Sequence, residues 1–149
     1  MKKEVNELIT LVRFYQEEGK DVWYDYKFFC FNGEPKFLQI DIERGVKDYR
    51  CYYDLNWLKL PFSISKRPMF NYNVPKPSNF EEMIKLSETL ADKLPFVRVD
   101  FYSIKGQSVF GEMTFYPSDG RKDFIPDKYN KIIGQYMKLP ELKKRQKLI

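Results

Sequence analysis

The feature that most constrains the fold is a pair of strand-forming runs that meet at Asn32-Gly33. The first run, residues 23–31, is rich in aromatic side chains, and the second, residues 36–43, alternates apolar and polar positions. Aromatic and β-branched residues favour a pleated sheet, and Asn-Gly between two such runs is typical of a two-residue hairpin turn. Because the 149 residues include 13 Phe and 11 Tyr, we expect a sheet-rich core.

The spacing of apolar residues in the rest of the chain predicts three helices and three more strands. The middle helix is expected to begin with a capping box, in which the Ser78 hydroxyl accepts a backbone N–H and Glu81 reaches back. The predicted elements are a helix at 3–18, a third strand at 49–54, a helix from 78 to about 94, strands at 96–104 and 108–116, and a helix at 127–137. Strands grouped in hairpins between helices predict an α+β fold with a mainly antiparallel sheet, in one domain.

The residue types that the chain lacks limit its chemistry. There is no histidine, which excludes Ser-His and Cys-His catalysis and makes a zinc site unfavourable. Cys30 and Cys51 lack CxxC spacing, so we expect two buried thiols in a reducing compartment. No signal peptide and no apolar run long enough for a membrane span is visible, and we therefore predict a cytoplasmic protein.

The formal net charge of +5 fits either an anionic partner or an ordinary solubilising surface. Lys and Arg are spread along the chain, with one dense basic run at residues 143–147. No nucleic-acid recognition motif is present and no strand gathers the basic residues, so we predict no nucleic-acid partner. A nucleotide, an anionic sugar or a membrane surface remains compatible with the charge.

Two carboxylates come together when the strands at 96–104 and 108–116 are paired. If Ile104 pairs with Ser108, the apolar side chains of both strands share one face, and Asp100 lies opposite Glu112 on the other. Opposed Cβ atoms are about 5 Å apart, so the two charges require a cation or a proton between them. Magnesium prefers carboxylate oxygens and accepts water or phosphate oxygens at its other positions. The alternative is a solvated face on which each acid pairs with a Lys or Arg side chain.

These strands resemble the closing hairpin of ATP-grasp enzymes, and most closely that of the TupA-like branch, which is associated with teichuronopeptide and capsular polysaccharide biosynthesis. The resemblance covers residues 22–120 and corresponds to the C-terminal half of such a protein, between a helix at 1–20 and a C-terminal helix with its basic tail at 121–149. The matching stretches are Val97-Arg98-Val99-Asp100-Phe101-Tyr102, Phe110-Gly111-Glu112-Met113-Thr114-Phe115-Tyr116-Pro117, Asp25 to Gly33, Tyr53 to Trp57 and Pro75 to Met83.

The resemblance implies that the chain handles ATP and Mg²⁺ and activates a carboxylate as an acyl phosphate, which an amine or similar nucleophile then attacks. Such chemistry needs positioning and charge neutralisation more than covalent catalysis. The implied magnesium ligands are Asp100 and Glu112, with Thr114 at the position where many ATP-grasp enzymes have a metal-binding Asn. The implied phosphate contacts are Arg44, Arg50 and Arg98, with Lys27 as a weaker candidate, although each could also be an ordinary strand-surface charge.

A complete ATP-grasp protein is considerably longer than this chain, and its nucleotide-binding lysines lie upstream of the segment that Asp25 begins here. We therefore expect a truncated protein that acts on a surface-polysaccharide precursor, either as a homodimer or together with a partner chain that supplies the missing lobe. The alternative is a non-catalytic remnant that binds a protein or a glycan. In that case Tyr52, Tyr53 and Trp57 would stack on sugars, whereas we favour their packing in the core.

Overall fold

A computed structural model describes residues 22–44, 47–64 and 69–139 of the chain. Five strands form one sheet in the order β3-β2-β1-β4-β5, and every neighbouring pair is antiparallel. The elements are β1 (Val22–Phe31), β2 (Glu34–Arg44), β3 (Lys47–Asp54), α1 (Phe80–Ala91), β4 (Phe96–Ile104), β5 (Gln107–Thr114) and α2 (Lys128–Gly134). The predicted α+β class with an antiparallel sheet is confirmed. The helix predicted at 3–18 and the basic run at 143–147 lie outside the described residues.

The turn predicted at Asn32-Gly33 joins β1 to β2. Both residues have positive φ, 52° and 85°, which is the backbone of a type I′ hairpin turn. Glycine is needed here for a second reason, because a Cβ atom on Gly33 would lie 1.9 Å from the carbonyl oxygen of Asp92. The turn therefore also fixes how closely the end of α1 approaches the sheet.

One face of the sheet is apolar and is covered by α1 and the segment before it. Side chains of four strands pack there against Phe80 and Met83. Tyr53 stacks on Trp57 with ring centroids 4.9 Å apart, and the Trp57 indole donates to the Val74 carbonyl oxygen at 2.9 Å. The core role that we favoured for these rings is confirmed, since the exposed fraction of Tyr53 is only 2%.

The other face has an aromatic half. Phe29, Phe31, Phe37 and Tyr52 lie there beneath the segment around Phe62 and the helix α2. The rings of Phe37 and Phe62 meet edge to face at 5.4 Å. The rest of this face is polar and forms the site described below.

The start of α1 corrects one prediction. Asn79, not Ser78, is the N-cap residue, and no side chain caps the helix. The Asn79 side chain instead accepts a hydrogen bond from Ser103 at 2.7 Å and donates one to Ser108 at 2.9 Å. The capping box is therefore wrong, because the polar side chain at this helix end has partners in the β4–β5 hairpin.

Cys30 and Cys51 are buried, free thiols, as predicted. Burial raises the pKa of each thiol to about 12. Both side chains therefore stay protonated at neutral pH and behave as small apolar groups. No helix in the described ranges is long and apolar enough to cross a membrane.

Candidate metal and phosphate site

The hairpin of β4 and β5 differs from the predicted one at its turn and regains the predicted register further on. Ile104 pairs with Gln107, not with Ser108, so the turn has two residues, Lys105 and Gly106, both with positive φ. The register then shifts between Val99 and Phe101, and Val99 faces Met113 as predicted. Two residues of β5 thus lie across from Asp100, which is a β-bulge.

The residue at the bulge is Gly111. A Cβ atom there would lie 3.1 Å from the Asp100 carbonyl oxygen and 3.1 Å from the Tyr102 ring. Glycine allows this close approach of the two backbones. The bulge brings Glu112 and Thr114 to the same face as Asp100, and the side chains of all three residues contact one atom of Arg98.

That atom is Nη2 of Arg98, and the three residues assigned to the metal converge on it. Its two N–H groups are shared among Asp100 Oδ2 at 2.7 Å, Glu112 Oε1 at 2.9 Å and Thr114 Oγ1 at 3.0 Å. Nε of Arg98 donates to the other Asp100 oxygen at 2.7 Å. Burial alone lowers the pKa of Arg98, but the hydrogen bonds and charge of Asp100 outweigh it, and the pKa lies above its usual range.

Lys27 approaches Asp100 from the neighbouring strand. β1 pairs with β4 so that Lys27 faces Asp100, and the Lys27 ammonium lies 2.9 Å from Asp100 Oδ2. The same ammonium also forms an ion pair with Asp25. Burial lowers the pKa of Lys27, but the two carboxylates together outweigh burial and raise it. Lys27 is therefore a fixed positive charge at the floor of the site.

Asp25 is the least satisfied member of the cluster. Its Oδ1 atom is buried and has no hydrogen-bond partner, and it is the only such side-chain atom among the described residues. Burial raises the pKa of Asp25 to about 6, although Lys27 opposes the increase. Among the described residues Asp25 shares its cation, Lys27, with Asp100, which explains why its own charge is poorly compensated.

The other predicted phosphate contacts lie further along the sheet. Arg50 of β3 holds Asp41 of β2 through both Nε and Nη2, the latter at 3.0 Å. Burial lowers the pKa of Arg50, but the hydrogen bonds and charge of Asp41 raise it overall. Arg44 is the last residue of β2, and its backbone is paired with Val22 and Lys47, but its side chain lies outside the described part of the structure. The contacts just described join Arg98 and Lys27 to the carboxylate pair, whereas Arg50 pairs with Asp41.

The donor set fits magnesium better than a softer metal. Carboxylate and hydroxyl oxygens converge on one point, and magnesium commonly takes only one or two carboxylates and completes its shell with water and phosphate oxygens. No group of three or more Cys, Asp and Glu side chains within 22–44, 47–64 and 69–139 is arranged as a metal site. Asp100 already accepts three hydrogen bonds from Arg98 and Lys27. Because an ionised carboxylate has about four acceptor positions, about one position of Asp100 is left for a metal ion while Arg98 is in place.

Sequence reasoning missed Asp25 and Asp41. Both alternate with apolar neighbours on strands that we had predicted, so period-two alternation could place them on the polar side of β1 and β2. Alternation alone does not show that β1 pairs with β4, and this pairing is what brings Asp25 and Lys27 to Asp100.

Comparison with known protein families gives a match over most of the chain. The model of the family described as TupA-like ATPgrasp matches residues 2–138. No curated protein and no solved structure matches the chain significantly. The family match spans nearly the whole chain and includes the strands that carry the carboxylate pair, and the chain belongs to the TupA-like ATP-grasp family.

Proposed function

We propose that this chain supplies the metal- and phosphate-binding sheet of an ATP-grasp protein that acts in cell-surface polysaccharide biosynthesis. The reaction class is ATP- and Mg²⁺-dependent activation of a carboxylate and its ligation to a nucleophile. The observation that supports this most is the convergence of Asp100, Glu112 and Thr114 on a single point, within 3.0 Å of one nitrogen. Three oxygen donors on two adjacent strands suit a hard divalent cation.

The roles follow from the contacts and the charges. Asp100 and Glu112 would hold Mg²⁺, with Thr114 as a third and weaker donor, and the bound ion would neutralise phosphate charge. Lys27 is held in place by two carboxylates and would face the phosphates as a point charge, whereas the planar fork of Arg98 suits phosphate oxygens. Arg50 is engaged with Asp41, and we assign it a second phosphate contact on the β2–β3 side of the sheet. We assign Arg44 a phosphate contact at the end of β2.

The roles proposed for the described sheet concern the phosphate end of a nucleotide and not its base. Contacts to adenine would come from residues outside the described ranges, from a second copy of the chain or from a partner chain. We accordingly propose that the active form is a two-lobed assembly in the cytoplasm, with a surface-polysaccharide precursor as the acceptor or donor substrate.

The test is a calorimetric titration of the 149-residue chain with Mg²⁺ and a non-hydrolysable ATP analogue. Glu112 is the best residue to change, since 57% of its side chain is exposed and its loss leaves Arg98 still paired with Asp100. We expect Glu112→Gln to weaken binding roughly tenfold or more, in line with the loss of groups that tune a metal site. Glu81→Gln is the matched control, because Glu81 is an exposed carboxylate that pairs with Lys76 on the other side of the sheet. Equal affinity of Glu112→Gln and wild type would contradict the assignment.

A second candidate function has its own supporting observation. Asp100 is compensated internally by Arg98 and Lys27, so the carboxylates need no metal to coexist. The chain could then be a non-catalytic remnant that binds a protein or a glycan. This reading predicts no measurable nucleotide or metal binding by wild type, with or without a partner chain that supplies the second lobe.

A further inference from the structure

Arg98 occupies the position that a metal ion would need. Its Nη2 atom lies 2.7 to 3.0 Å from the three oxygens of Asp100, Glu112 and Thr114. A magnesium ion bound by the same oxygens would lie about 2 Å from each of them. The guanidinium and the ion would therefore overlap in space, and both carry positive charge. Occupation by one excludes the other.

The charges of the cluster show why one of the two must be present. The hydrogen-bonded network contains three carboxylates, Asp25, Asp100 and Glu112, and two cations, Lys27 and Arg98. Removing the Arg98 charge alone would leave Asp100, which is only 1% exposed, with Lys27 as its single cation. A buried carboxylate with too little compensation is strongly unfavourable. A divalent ion would restore the lost charge and exceed it.

We propose that Arg98 couples metal binding to phosphate binding in this chain. Without ligands its guanidinium holds the carboxylate pair together and keeps the metal position filled. When a phosphate group enters, Arg98 gains a new anionic partner, turns away from Asp100 and Glu112, and leaves these oxygens to the metal. The inference rests on the proposed function, and it adds that the bare metal binds weakly because it has to displace an internal cation.

The position of Lys27 makes this exchange feasible. Lys27 reaches Asp100 from β1, whereas Arg98 lies along β4 itself and reaches across to β5. The two cations share Asp100 Oδ2 but reach it from different strands, so Lys27 can stay in place when Arg98 leaves. Asp100 keeps one charge-assisted hydrogen bond throughout the exchange, which lowers the cost of the intermediate state.

The coupling predicts that one substitution has opposite effects on two ligands. Arg98→Gln removes the competing charge, so Mn²⁺ alone, measured by electron paramagnetic resonance, should bind more tightly. The change should lie in the usual range for coupled sites, roughly 5- to 150-fold. The same variant should bind the Mn²⁺ complex of a non-hydrolysable ATP analogue more weakly than wild type, because the phosphate loses its guanidinium. Arg98→Lys is the matched control that keeps the charge, and its affinity for Mn²⁺ alone should stay close to that of wild type.

Other roles of Arg98 predict different pairs of results. If Arg98 only stabilises the fold, its replacement should weaken the binding of both ligands. If it only contacts phosphate, its replacement should leave the affinity for bare Mn²⁺ unchanged. Either pair would overturn the coupling while leaving the metal site itself intact. Failure of both wild type and Arg98→Gln to bind Mn²⁺ or the nucleotide complex would overturn the proposed function, and the coupling with it.

A measurement on the wild-type chain keeps the test valid if Arg98→Gln does not fold. The Nε–H of Arg98 donates to Asp100, so its ¹⁵N-detected resonance reports on that hydrogen bond, and Arg98→Lys assigns the signal by removing it. We expect the resonance to stay unchanged with Mg²⁺ alone and to shift when Mg²⁺ and the ATP analogue are added together. A shift of equal size with Mg²⁺ alone would rule out the coupling.

Discussion

The ionisation of Asp25 should make the stability of the fold depend on pH in an unusual direction. Carboxylates in folded proteins are commonly stabilised by their partners, so that stability rises with pH across their titration. Asp25 behaves differently, because burial raises its pKa to about 6 from an ordinary value of 3.8. Its Oδ1 atom has no hydrogen-bond partner in the part of the chain that the structure describes, which leaves the ionised form poorly compensated.

The sign follows from proton binding. Between about pH 4 and pH 6 the native state keeps a proton on Asp25 that the unfolded chain has lost. Because the native state binds more protons in this window, the free energy of unfolding falls as pH rises. The pKa difference of about two units corresponds to on the order of 2 to 3 kcal/mol. The full contribution is present below pH 4 and is lost once the pH has risen through 6.

Asp25→Asn removes this titration and keeps the shape of the side chain. Urea unfolding at pH 4, 5, 6 and 7 should show that the stability of the variant, relative to wild type, rises with pH by the amount just given. Glu34→Gln is the control with the opposite sign, since its hydrogen bond and ion pair with Lys36 lower the pKa of Glu34, and the relative stability of that variant should fall as pH rises. A relative stability of Asp25→Asn that does not change between pH 4 and pH 7 would refute the reasoning.

Two further predictions concern the contacts that hold the hairpins in place. Gly33→Ala should lower the free energy of unfolding by about 3 kcal/mol, because it adds a clash with the Asp92 carbonyl to the strain of positive φ. Gly120→Ala has a similar φ of 66° and nothing within 4 Å of the new Cβ, so it should show the strain alone in the same urea titration. Asn79→Ala should lower the free energy of unfolding by about 1 to 3 kcal/mol, because it breaks the hydrogen bonds between the start of α1 and the hairpin that carries Ser108. If Asn79→Ala lowers the free energy of unfolding no more than the replacement of an exposed Asn does, these hydrogen bonds do not hold the hairpin.

Local signals predicted the elements well and their connections less well. The hairpin at Asn32-Gly33 was predictable because the backbone of a type I′ turn favours these two residues wherever they stand. The cap of α1 was not, because Ser78 and Asn79 are both good N-cap residues and the choice depended on partners in β4 and β5. Tertiary contacts decided between two local options of similar energy.

The carboxylate pair was partly predictable for a related reason. The alternation of apolar residues correctly placed Val99 opposite Met113. It assumed an uninterrupted ladder of pairs, so the prediction had a three-residue turn where the structure has a two-residue turn and a β-bulge. Gly111 was the available signal, since glycine inside a strand often marks a bulge. The sequence could not show that Arg98 would lie between the two acids, because a side chain that bridges two strands is a property of the assembled sheet.

The polar half of the sheet is difficult to explain as a stabilising feature. On a single strand, Phe29 and Phe31 pack under an aromatic cover, whereas Asp25 and Lys27 place charges where the sheet is largely shielded from water. A buried ion network seldom stabilises a fold more than apolar residues of the same volume would, and here one carboxylate oxygen has no hydrogen-bond partner among the described residues. The costly groups adjoin the point where Arg98 gathers three oxygen donors. This combination supports the proposed binding site, because the missing partners of charged groups in such a site are those that a ligand brings.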